Sequence, residues 1–190
     1  MANPFHKNLE AYYNKMGKQV MNRAKAGLKD AKPYSKGGGA LENSIRYKIK
    51  ETEKGYEVYF IMESYGKFVD EGVSGVKIKR SFKNYQGQNI KTDFTYRGKG
   101  PPIEILSKWI KRKGIKPTTK IAKGRDKKSG RFVSGLAYLI SRKINRDGIQ
   151  GISFFQKPLG IAWKTMQSEI EVAIAKDIRD TLKGINFKNE

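Results

Sequence analysis

The stretch YGKFVDEGVSG, from Tyr65 to Gly75, decides how this chain is read. Before it, apolar and polar residues alternate. Within it the alternation stops, and Tyr65, Phe68 and Val69 stand at the i, i+3, i+4 spacing of a single helical turn. Gly72 is placed to end that turn. Asp70 and Glu71 are adjacent carboxylates beside it, open to three readings: a catalytic acid pair, a metal site, or a turn that shapes the chain. Neighbours on a helix point about 100° apart, which argues against two carboxylates sharing one site.

Working outward, the segment before it predicts an antiparallel hairpin. Ile45, Tyr47 and Ile49 alternate with Arg46, Lys48 and Lys50, within a strand reading of GALENSIRYKIKE. Lys54-Gly55 turns the chain, and Tyr56, Val58, Phe60 and Met62 alternate again. Upstream, Asn3-Pro4 opens like a helix start. Phe5, Leu9, Tyr12, Met16, Val20 and Ala24 then mark one face of a helix to about Lys29. Gly37-Gly38-Gly39 is a joint. It lacks the Lys-Ser/Thr that a phosphate-binding loop needs.

Downstream, VKIKRSFKNY and IKTDFTYRG flank the turn-like Gln86-Gly87-Gln88-Asn89 and predict a second, longer hairpin, an extension at 76–98. A helix is expected from Pro102 to Gly114, with Ile103, Leu106 and Ile110 inward and Trp109 beside them. The span from Lys116 to Arg131 holds seven basic residues and one acid without periodicity, an exposed basic loop at 116–131. Another helix starts at Phe132, with Leu136, Leu139, Ile140 and Ile144 on one face, and Asp147-Gly148 closes it. GISFFQKPLG is a short strand or buried connector. The last helix runs from about Ile161 to Leu182, its stripe being Met166, Ile170, Ile174, Ile178 and Leu182, with Gly184 at the C-cap. The expected class is α+β: a small antiparallel sheet of hairpins packed against N-terminal, middle and C-terminal helices. One domain, 1–190, is expected, since about 150 residues is the usual domain size.

Composition narrows the function. The 190 residues carry 40 Lys and Arg against 18 Asp and Glu, a net charge of +22. Such an excess attracts polyanions, nucleic acid foremost. No cysteine is present, which removes disulfides, thiol nucleophiles and thiolate metal sites together. With His6 the one histidine, a metal site would need carboxylates alone, favouring Mg or Ca over Zn. No GxSxG elbow is present. Neither a secretory signal nor a spanning apolar run is seen, so a soluble intracellular product without a membrane partner is expected. Tyr12, Tyr13, Tyr47, Phe60, Phe82, Phe94 and Tyr96 could stack bases, but alternation on strands more often marks a core face.

The order of motifs resembles the neck and tail-completion proteins of tailed bacteriophages. Gly39, Leu41, Asn43, Ser44 and Ile45 give G-x-L-x-N-S-I. Tyr65, Val69, Asp70 or Glu71, and Gly72 give Tyr-x-x-x-Val-acid-x-Gly, and Phe154-Phe155 and Pro158 precede the long last helix. Asp70-Glu71-Gly72-Val73 stands where the family pattern has Glu-x-Gly-Thr, and Phe-Phe-Gln-Lys-Pro where it has Arg-Pro-Phe. The resemblance implies a virion protein, assembled in the host cytoplasm and placed at the neck or tail top. It implies a homo-oligomeric ring of six or twelve copies, stacked between portal-side and tail-side proteins, with no enzymatic activity and no cofactor. In such proteins Tyr65, Phe68, Val69 and Gly72 would set the fold, and Asp70 and Glu71 would anchor a turn or interface. Lys116, Lys120, Lys123, Arg125, Lys127, Lys128 and Arg131 are then candidate contacts to the channel DNA or to acidic partner surfaces. Two other readings stand beside it: a basic protein that binds nucleic-acid phosphates non-specifically, and a Mg-dependent nuclease using Asp70 and Glu71.

Overall fold

The computed structural model describes residues 6–31, 39–53, 55–116, 124–125, 132–133 and 135–184, with 124–125 and 132–133 described by their backbone. In chain order the elements are α1 (Lys7–Asp30), α2 (Ala40–Ser44), β1 (Arg46–Thr52), β2 (Gly55–Ile61), α3 (Gly66–Glu71) and β3 (Gly72–Val73). Then come β4 (Ser81–Lys83), β5 (Asn89–Lys91), α4 (Ile103–Lys113), β6 (Gly124–Arg125), β7 (Phe132–Val133), α5 (Gly135–Asp147), β8 (Ile149–Gln150) and α6 (Gln156–Gly184). The fold is α+β, with its strands in two-stranded pairs. Where the sequence reading has one domain, contacts divide the chain into two compact units. The first is 1–70, 83–89 and 152–190; the second is 71–82 and 90–151.

In the first unit, β1 and β2 pair antiparallel from Arg46↔Ile61 to Thr52↔Gly55, the hairpin that alternation predicts. Arg46, Lys48 and Lys50 are exposed while Tyr47 and Ile49 are half-buried. Helix α1 lies close over this hairpin at Gly17, where an added Cβ would sit 2.6 Å from the Tyr47 ring. A core of Ala24, Leu28, Leu41, Ile45 and Phe154 forms beneath, with Met21, Met62, Val69, Ile152 and Phe155 packed on it. The strand expected from Gly39 begins later. Residues 40–44 form α2 instead, because Leu41 and Ile45 lie one turn apart and both point into that core. The Ser44 hydroxyl donates to the Leu41 carbonyl at 2.8 Å and accepts the Glu63 N–H at 3.0 Å.

The last helix differs most from expectation. The stripe Ile174, Ile178, Leu182 is 42, 56 and 56% exposed, whereas Ala173 and Asp177 are buried and Met166, Ile170 and Thr181 half-buried. Steps of four residues advance a helical stripe by about 40° each, so a 4-4-4 series rotates away from its partner. The buried series 166, 170, 173, 177, 181 includes a three-residue step and stays facing inward. The helix also begins at Gln156, five residues before Ile161.

Asp177 is buried for a reason sequence windows do not see. His6, the residue before α1, makes no side-chain cap bond. The Asp177 carboxylate replaces it, accepting the backbone N–H of Asn8 at 2.8 Å, that of Leu9 at 3.0 Å and the Asn8 side-chain amide at 2.9 Å. Burial pushes this carboxyl up, but the Asn8 and Leu9 hydrogen bonds and His6 outweigh it and hold its pKa below the usual value. Asp177→Ala is therefore expected to cost about 1–2 kcal/mol in urea unfolding, the scale of a lost N-cap. Because the folded pKa is lowered, this contribution is present above the ordinary carboxylate pKa and disappears as pH falls through the folded one. The difference between wild type and variant should shrink below about pH 4.

In the second unit, β3 and β8 pair antiparallel, Gly72 opposite Gln150 and Val73 opposite Ile149. Arg80 adds to this corner, its Nε donating to the Asp147 carbonyl at 2.8 Å. Helices α4 and α5 pack through Leu106, Ile110 and Ala137, with Ile103, Trp109, Leu136, Ile140 and Ile144 around them. Gly114 closes α4 in the left-handed conformation, φ 64°, as the sequence predicts. Helix α5 begins at Gly135 rather than Phe132, which lies in β7 and pairs with Arg125. Leu139, expected inward, is 49% exposed; Ala137 and Ser141 take the tight contact. The second hairpin is shorter than expected, its pairing confined to β4 and β5, since 76–78 form bends rather than strand.

Candidate functional site

The Tyr65–Gly72 turn is helical, as its spacing predicts, but its anchors are not the aromatic ones. Tyr65 and Phe68 are 41 and 43% exposed. The residues that fasten α3 are Val69, packed on the first unit's core, and Gly66, where a Cβ would meet Met62 Sδ at 2.8 Å and Leu41 Cδ1 at 2.9 Å. Gly66 carries no periodic signal, and only the approach of those two side chains identifies it.

Asp70 is 4% exposed. Its Oδ1 accepts the Phe155 N–H at 2.8 Å, just ahead of α6. Two backbone bonds run beside it, from Ile152 N–H to the Val69 carbonyl at 3.1 Å and from Ser153 N–H to the Asp70 carbonyl at 3.0 Å. Burial raises the Asp70 pKa above its ordinary value, against the pull of the Phe155 and Gln156 hydrogen bonds and of Lys157. A carboxylate at a helix start satisfies orphan N–H groups and meets the positive end of the helix dipole. Asp70 is thus a long-range cap of α6. Glu71 is buried at 7%. Gly72 takes φ +83°, and a Cβ there would lie 2.5 Å from Gly151 N and 2.6 Å from Ile149 O.

Among the described residues no group of three or more His, Cys, Asp or Glu is placed to hold a metal. His6 is exposed and stands edge-on to the Tyr56 ring. None of the seven aromatics weighed for base stacking is exposed; Tyr12 and Phe82 are buried and the rest half-buried.

The expected basic loop falls largely outside the described residues: Lys120, Lys123, Lys127, Lys128 and Arg131 lie there. Arg125 is in β6, paired with β7, and Lys116 is exposed. The cationic surface begins earlier than the sequence reading placed it. Lys108, Lys111, Arg112 and Lys113 of α4 are all exposed ahead of Lys116. A second cationic row is Arg46, Lys48 and Lys50 on the wet face of β1, with exposed Tyr59 opposite Lys48. Alternate strand residues repeat about every 6.8 Å, so this row is an extended line of charge. Among the described residues no helix is long and apolar enough to cross a membrane.

Comparison with protein-family models, curated proteins and solved structures finds no match to this chain.

Proposed function

We propose that this chain is a structural protein of a tailed-bacteriophage neck, a head–tail connector or tail-completion subunit. It acts as a homo-oligomeric ring, six or twelve copies stacked between portal and tail, and lets DNA pass without turnover. The observation that carries the reading is the meeting of two motifs 85 residues apart. The Val69-Asp70 turn and the Phe154-Phe155 junction, which carry the family resemblance, bond to each other through Asp70 Oδ1 and the Phe155 N–H. Asp70, one of the two adjacent acids, has structural work in this reading as the acceptor of the Phe155 N–H.

Exposed rows of Lys and Arg support a second reading, a dedicated binder of nucleic-acid phosphates. The two readings separate in one pair of assays. The protein is incubated with DNA-filled, tailless particles of the phage that encodes it, then sedimented. Separately, its DNA affinity is measured against salt. The neck reading expects stoichiometric co-sedimentation that persists at 200 mM salt. Affinity for free DNA that falls by about three orders of magnitude between roughly 50 and 200 mM salt, with no co-sedimentation, would reverse the order of the two.

A further inference from the structure

Two apolar surfaces are left open, one in each unit. In the second unit, α4 and α5 enclose a groove of about 550 Å³ lined by Ile105, Trp109, Ile140 and Ile144, with Lys108 and Arg112 at its edge. Ile105 is 62% exposed there. In the first unit, α6 turns Ile174, Ile178 and Leu182 outward. Apolar faces of this kind on a charged chain mark contact surfaces.

The two match in length and in charge. From Ile105 to Arg112 the groove runs about 10 Å along α4, and from Ile174 to Leu182 the stripe runs about 12 Å along α6. Glu171 lies one turn before Ile174 on the same face and accepts the Gln167 amide at 3.1 Å. The eleven residues Thr165–Ala175 hold Glu169 and Glu171 and no Lys or Arg, in a chain with 40 of them. A chain of net charge +22 repels its copies, so any contact between copies needs such a neutralising segment. The groove supplies Lys108 and Arg112, and Glu171, one turn ahead of the stripe, supplies an acid to face them.

We propose that the α4–α5 groove of one molecule receives the Ile174–Leu182 stripe of a second copy, with Glu171 facing Lys108 and Arg112. The contact is heterologous: each copy offers one groove and one stripe, so the chain adds copies in one direction until it closes. This deepens the ring reading and rests on it for its biological meaning, but it is tested separately.

The test is the mass of the purified protein over a range of concentrations, for wild type and for Ile105→Asp and Ile178→Asp. Both positions are more than half exposed, so each variant folds, as circular dichroism will check. An aspartate desolvated in the contact should raise the dissociation constant by more than about a hundredfold. Each variant alone is then monomeric. Mixed, the two form a dimer of one copy each, because Ile178→Asp keeps its groove and Ile105→Asp keeps its stripe. Charge gives a second arm: Glu171→Lys and Arg112→Glu each weaken association, and mixing the two restores it. A wild type that stays monomeric at roughly 100 µM, variants that associate like wild type, or a mixture that stays monomeric would each overturn the proposal. Variants that associate normally and still seat on tailless particles would leave the neck reading standing without this contact. Variants that lose association, in a protein that ignores the particles, would leave the contact standing without the neck.

Discussion

Gly72→Ala is expected to destabilise the second unit by more than about 3 kcal/mol. Two costs add. At φ +83° a non-glycine residue pays about 1–2 kcal/mol for the left-handed conformation alone. The new Cβ would also lie 2.5 and 2.6 Å from backbone atoms of Gly151 and Ile149, which cannot rotate away as a side chain would. Those atoms belong to and follow β8, the partner of β3, so relief of the clash breaks that pairing. The chain's two tryptophans allow the effect to be localised. Trp109 packs in the second unit's core and Trp163 stands edge-on to Tyr85 in the first. In a Trp163→Phe background, urea unfolding followed by Trp109 fluorescence should shift far down for Gly72→Ala. A shift worth less than about 1 kcal/mol, the usual range for an unconstrained surface site, would contradict the geometry.

Asp70→Ala is expected to cost about 2–4 kcal/mol, because it leaves a buried N–H of the α6 start without its acceptor and removes the charge at the helix's positive end. Asp70→Asn keeps an oxygen for the Phe155 N–H and should cost much less at neutral pH. The pH dependence follows from the raised pKa. A carboxyl whose folded pKa lies above its ordinary 3.8 favours the protonated folded state. Its contribution is full below the unfolded pKa and is lost as pH rises through the folded one. Wild type should therefore lose ground to Asp70→Asn as pH rises from about 4 toward neutrality. This is opposite in sign to Asp177, whose contribution is lost as pH falls. Urea unfolding of wild type, Asp70→Asn and Asp177→Ala at several pH values checks both signs at once, and parallel curves for wild type and Asp70→Asn would refute the Asp70 assignment.

Much of the architecture was legible locally. The β1–β2 hairpin follows from strict alternation, α3 from an i, i+3, i+4 triplet, and the end of α4 from Gly114. What escaped is set by distance along the chain. Asp177 and Asn8 are 169 residues apart, yet their bond decides which face of α6 turns inward. A periodicity window counts isoleucines and finds Ile174, Ile178 and Leu182; it cannot see that α1 needs a carboxylate for its unpaired N–H groups. The same holds at Tyr65 and Phe68, whose aromatic character suggested anchoring while Gly66 and Asp70 hold the turn. Leu41 and Ile45 misled in the other direction, since their four-residue spacing fits α2 as well as the strand edge. The functional surfaces were only partly visible. The charge excess drew attention to 116–131, while the described cations that surround an apolar groove sit on α4, where helix periodicity hides them among core positions.

The role proposed for this chain is at the neck of a tailed phage. The most direct measurement is cryo-electron microscopy of DNA-filled, tailless particles after incubation with the purified protein. A neck protein gives added density at the portal vertex alone, ring-shaped, with rotational symmetry of six or twelve, into which copies of the α1–α6 unit fit. Bare vertices, with the protein free in solution or spread along released DNA, would contradict it.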